Sequence, residues 1–82
     1  MNRTMDMTIA TPEGIVFEGR VESAKFPGAA GAFAVLPRHA ALISALTEGK
    51  LTYTQDGKPV EIAIRGGFVE INKDVISACV EV

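Results

Sequence analysis

Hydrophobic and polar positions alternate along most of this chain, with a period of two. Met5, Met7 and Ile9 alternate with Asp6, Thr8 and Ala10, which predicts a half-buried strand. Thr11-Pro12-Glu13-Gly14 reads as a turn, because proline presets φ and glycine accepts a positive one. Ile15-Val16-Phe17 resumes as strand, and Gly19 breaks its side-chain row. Val21 is then out of phase by one residue with Ala24 and Phe26. A β-bulge near Glu22-Ser23 would bring them to one face and bend the strand. Pro27-Gly28 ends this segment, Gly28 to Gly31 forms a loop, and Ala32–Leu36 reads as another short strand.

The stretch Gly28–Leu46 interrupts the plain alternation of strands and turns. An irregular insertion in a small β domain is usually functional or closes the core. Pro37-Arg38-His39-Ala40 punctuates it. Leu42–Leu46 is ambiguous: Pro37 and the alanines permit a two-turn helix, but the piece is short, and strand or irregular structure is the expectation. After Glu48 the pattern is clean. Leu51 and Tyr53 share one face of a strand, and Thr52 and Thr54 the other. Asp56-Gly57 is a two-residue hairpin signature, since a type I′ turn needs positive φ at both positions. Pro59 lacks an N–H, so its strand pairs after it or lies at an edge. Val60, Ile62 and Ile64 alternate with polar or small residues, and Gly66-Gly67 permits a kink or bulge. Phe68–Ile71 is a strand, Asn72-Lys73-Asp74 a tight turn, and Val75–Val80 the last strand.

This reading gives eight to ten short strands and no segment with helical periodicity over three turns. The expected fold is all-β: a flattened sandwich or barrel of about ten short strands in two sheets. At 82 residues the chain is expected to form one domain, spanning residues 1–82.

Composition narrows the function. Net charge is −2 with both signs interspersed, which leaves no clustered Lys/Arg footprint for nucleic acid. The longest nearly apolar run, Ala29–Pro37, is too short to span a bilayer, and Met1–Ala10 lacks a signal-peptide core. Cys79, the one cysteine, falls in an apolar β-pattern and reads as a small buried hydrophobe. With one His and one Cys, forty residues apart, a metal site has little support. Ser44 lies near His39, but no carboxylate in that segment orients the imidazole, so a triad is not expected. Neither Gly28–Gly31 nor Gly66-Gly67 has phosphate-loop spacing. Surface recognition remains. Gly28–Leu46 offers small alanines, one Arg and one His, which allow close backbone approach and a few directional hydrogen bonds. His39 reads equally well as a turn histidine bonded to a nearby carbonyl. A small β-barrel enclosing an apolar ligand is the main alternative, and a hydrolase using His39 is a third.

The ordered set TPEG (Thr11–Gly14), Phe17/Gly19, Pro27-Gly28/Gly31, Leu36-Pro37/His39–Ile43 and Gly66–Glu70 resembles the epsilon subunit of the F-type rotary ATP synthase, in its N-terminal β-sandwich domain. The resemblance covers roughly residues 5–80. It implies a sandwich of two five-stranded sheets. It also implies a non-catalytic central-stalk subunit that binds gamma, stands on the ring of c subunits, and couples ion flow to ATP synthesis. Such a subunit is peripheral to the cytoplasmic face of the inner membrane through the complex and carries no cofactor. Subunit contacts with the c ring and the foot of gamma are expected at one end of the sandwich, built from Thr11, Gly28, Ala30, Gly31, Ala32, Arg38, His39 and Ser44, with Phe68 and Tyr53 as candidates to face gamma. Relatives often carry an acid where Ala30 or Ala32 stands, glycine at Arg38 and proline at Ala41. Arg38 is therefore expected to replace an acidic c-ring contact with one of opposite sign. The chain stops at Val82, where many relatives continue into a pair of helices, so self-inhibition and ATP binding are not expected. The coupling ion, proton or sodium, is set in the c subunit.

Overall fold

Two antiparallel-dominated sheets pack face to face in the computed structural model, which describes residues 3–82. The strands are β1 (Met5–Thr11), β2 (Gly14–Val21), β3 (Ser23–Phe26), β4 (Phe33–Val35), β5 (Leu42–Leu46), β6 (Gly49–Gln55), β7 (Lys58–Ile64), β8 (Gly66–Asn72) and β9 (Val75–Glu81). The larger sheet has the order β2-β1-β9-β8-β5, the smaller β4-β3-β6-β7. The resemblance implied five strands in each sheet; the second sheet holds four. Leu42–Leu46, ambiguous in sequence, is a strand because it pairs along its length with β8, from Leu42↔Ile71 to Leu46↔Gly67.

The chain changes sheet at sharp corners. The phase break between Val21 and Ala24 is one of them, and not a bulge: β2 ends in one sheet, Glu22 turns, and β3 begins in the other. The register shift in this region lies earlier, where Ile9 faces Phe17 but Ala10 faces Ile15, so Val16 is the extra residue. Glu22 holds its corner. Its backbone N–H donates to Thr54 O at 2.8 Å, and its carboxylate accepts from Asp56 N–H (2.8 Å) and Gly57 N–H (3.0 Å). Asp56 (φ 52°) and Gly57 (φ 75°) form the expected hairpin, and Pro59 lies in β7, an edge strand.

The core lies between the sheets. Met5, Met7, Ile9, Val69, Ile71, Ile76, Ala78 and Val80 come from the larger sheet, and Ala24, Phe26, Val35, Leu51, Tyr53 and Ile64 from the smaller. Among the described residues no charged or polar side chain is buried, so the interior is apolar packing alone. Tyr53, a candidate for the surface, is only 6% exposed and stacks on Phe17 with ring centroids 4.3 Å apart. Its strand phase places it with Leu51, facing in.

Candidate interaction surface

The outer face of the larger sheet carries one apolar row that crosses all five strands. Ile15 pairs with Ala10, Ala10 with Cys79, Cys79 with Phe68, and Phe68 with Ala45. Four strand spacings make the row about 19 Å wide. Ile15 is 61% exposed and Phe68 53%. The next row is mixed: Glu18, Thr8, Ser77, Glu70 and Ile43. Beyond it come Arg20, Asp6, Val75 and Asn72. The face thus grades from apolar at the Thr11 end to charged at the end where β1 begins.

Cys79 is exposed, against the expectation of burial. Ile76, Ala78 and Val80 take the inward positions of β9, so Cys79 must face out. The sequence did hold a signal for this surface. In β8 and β9 both parities are partly apolar, Phe68 against Val69 and Ile71, and Val75 and Cys79 against Ile76 and Ala78. A strand apolar on both faces is one that expects cover on both.

Beside the row lies an open groove of about 440 Å³, where Thr11, Pro12, Gly67 and Glu81 join Phe68 and Cys79. Gly67 lines the groove. Its φ is 140°, and a Cβ there would stand 2.1 Å from Cys79 O. The backbone of β8 can lie this close to β9 only without a side chain.

The loop residues expected to form one contact end are divided. Thr11 closes β1 at the end of the sheet where β9 finishes. Gly28 is anchored at the same end, bridged to Leu46, with Ala29 N–H donating to Ala45 O at 2.9 Å. Gly28 is buried, and a Cβ there would strike Phe33 and Gly31 O, so it supports the loop through its backbone. Ala30, Gly31 and Ala32 are exposed. Arg38 and His39 belong to the opposite end: Arg38 N–H donates to Asp74 Oδ1 at 2.6 Å, in the β8–β9 turn. The two anchors flank β5, about 13 Å long.

His39 Nδ1 lies 2.6 Å from Ala40 O, the turn bond of one of its two readings, and because a carbonyl oxygen only accepts, Nδ1 is the donor. Ser44 is half-buried and donates its hydroxyl to Ala45 O at 2.9 Å. The two side chains bond separate carbonyls, not each other. No group of three His, Cys, Asp or Glu able to hold a metal occurs among the described residues. The ion pairs Arg20–Asp6 at 3.9 Å and Lys50–Glu61 at 3.5 Å are exposed and contribute little to stability.

Fold and surface together define a class: a small β-sandwich with an apolar interior, whose distinctive feature is an exposed apolar row along one end of a sheet face. The chain belongs to the family of the ATP synthase delta/epsilon chain β-sandwich domain, which matches residues 4–82. It is 43% identical over 79 residues to the ATP synthase epsilon chain of a Nitratiruptor species, covering 95% of this chain and 61% of the relative. It is 40% identical over 76 residues to that of Desulforamulus reducens, covering 93% and 58%. The chain therefore spans about three-fifths of the length of these curated relatives. The fold is shared with a chain of the Euglena gracilis mitochondrial ATP synthase, in a structure that includes its c-ring (TM-score 0.91, 20% identity, 98% of this chain and 52% of that one). It is also shared with a chain from the central stalk and c-ring of the Tetrahymena thermophila enzyme (TM-score 0.78, 14% identity, 95% and 63%).

Proposed function

We propose that this chain is the docking sandwich of a central-stalk subunit in a rotary ATP synthase. It has no catalytic role of its own. It binds gamma and the c ring, turns with them, and transmits ion-driven rotation toward ATP synthesis. It is held at the cytoplasmic face of the inner membrane through the complex. The observation that carries this reading is the apolar row from Ile15 to Ala45. Water contact with such a row is unfavourable by about 25 cal/mol per Å² of apolar surface, so a partner that covers it gains binding energy at the sheet itself. Family membership supports the choice of partner, and so do the stalk and c-ring assemblies that hold chains of the same fold.

In this reading the apolar row meets gamma, and Phe68 is its anchor. Thr11 and the exposed Ala30–Ala32 loop make contacts at one end, Arg38 and His39 at the other, and Ser44 lies between them on β5. The test is co-purification with the cognate gamma subunit and c ring. Wild-type chain is expected to be retained, and Phe68→Ser to be lost while folding normally. Equal retention of the two would sink the assignment of this face.

A further inference from the structure

The corner where Arg38 meets Asp74 is built at conformational cost and presents two cations. Leu36–His39 is a β-turn closed by His39 N–H to Leu36 O at 3.1 Å, with Pro37 second and Arg38 third. Arg38 has φ 71°, the left-handed value that a type II turn demands at its third position and that glycine meets without strain. Across from it, Lys73 (φ 50°) and Asp74 (φ 62°) form the two-residue turn between β8 and β9, again without glycine. Aspartate tolerates this region through local hydrogen bonds; Arg and Lys gain no such compensation. Two hydrogen bonds hold the corner. Asp74 Oδ1 takes Arg38 N–H at 2.6 Å, and Asp74 O takes Asp6 N–H at 2.9 Å, so both turns are tied to β1. Arg38 and Lys73 are exposed, and neither side chain bonds an acid among the described residues. Arg3, just ahead of β1, is exposed at the same end.

The geometry points to a carboxylate-binding contact: Arg38 and Lys73, whose turns are joined through Asp74, receive acidic side chains of a protein partner. Strained non-glycine residues persist where the surroundings over-determine them, and they cluster at binding sites. The planar Arg fork suits a carboxylate in bidentate geometry, with Lys73 as a second point charge. A lipid or nucleic-acid surface calls for a denser cation cluster, and here Asp6, Glu70 and Asp74 lie close by in a chain of net charge −2. The inference rests on the docking role proposed above and adds the sign and chemistry of one contact.

The test uses the cognate gamma–c-ring assembly stripped of this subunit, with binding measured across a salt series. Arg38→Gly is expected to weaken binding roughly tenfold and to flatten its salt dependence, with Lys73→Ala giving a smaller loss in the same direction. The melting temperature of Arg38→Gly should stay level or rise, because glycine relieves the backbone. Arg38→Lys should recover part of the affinity. Unchanged affinity and salt slope in the Arg38→Gly/Lys73→Ala double variant, with Phe68→Ser still impaired, would overturn this contact and leave the docking role standing. Wild-type chain that fails to bind the assembly would overturn both. Wild-type binding to phosphatidylglycerol-rich vesicles that the double variant loses would reassign the corner to lipid.

Discussion

The Phe17 and Tyr53 rings stack across the two sheets, centroids 4.3 Å apart and planes inclined by 28°. Phe17 comes from β2 and Tyr53 from β6, which are not hydrogen-bonded neighbours, so this contact fastens one sheet to the other. Stacked aromatic pairs contribute about 0.5–1.5 kcal/mol beyond area burial. A double-mutant cycle on Phe17→Leu and Tyr53→Leu, read by denaturant unfolding, should return a coupling energy in that range. A coupling near zero would mean that the rings only fill space.

Gly66 and Gly67 are adjacent but should respond in opposite ways to alanine. At Gly66 the nearest atom to an added Cβ is Leu46 O at 3.5 Å, an ordinary contact. Gly66→Ala should change stability by no more than about 0.5 kcal/mol. At Gly67 the Cβ would lie 2.1 Å from Cys79 O with φ at 140°, so β8 and β9 must part. Gly67→Ala should cost about 2 kcal/mol or more, from strain and overpacking together. Thermal melts of the two variants decide it.

Asp74→Ala removes the acceptor of Arg38 N–H but leaves the backbone bond from Asp6 N–H to Asp74 O. Asp74 is half-buried and holds φ 62°, which alanine tolerates less well, so the lost hydrogen bond and the added strain together should cost about 1–2 kcal/mol. The local effect should be larger: the Arg38 amide should exchange with solvent faster, while amides of the core strand β1 keep their protection. Unchanged Arg38 exchange would show that the turn holds its shape without the carboxylate.

Cys79 reports on the apolar row. The thiol is exposed on the isolated chain and should react with iodoacetamide under native conditions. On assembly with gamma and the c ring the reaction should slow by at least tenfold, since Cys79 sits between Ala10 and Phe68 in the row proposed to be covered. Equal rates in the free and assembled states would place the interface elsewhere.

Much of the architecture was legible because strand signals are local. Asp56-Gly57, the Thr11–Gly14 turn and the alternation in β1, β6 and β7 each follow from a few neighbouring residues. Misreadings came where the deciding partner is distant in sequence. Val21 and Ala24 differ in phase because they lie in different sheets, and a bulge and a corner look alike in one dimension. Cys79 sits in an apolar run, and only its pairing with Ala10 and Phe68 turns it outward. Arg38 and Thr11 looked like parts of one patch because both fall in turns. The parallel pairing of β1 with β9 puts them at opposite ends.

By itself, then, the order of residues determined the all-β class, the turn positions, the lack of a charged footprint for nucleic acid, and the resemblance to a rotary-synthase subunit. These rest on side-chain period, φ preference and charge, all properties of short segments. The tertiary structure alone decided which of two apolar parities in β8 and β9 faces water, and that Asp74 grips Arg38 from across the fold. Pairing between strands far apart in the chain sets both, and no local propensity encodes it.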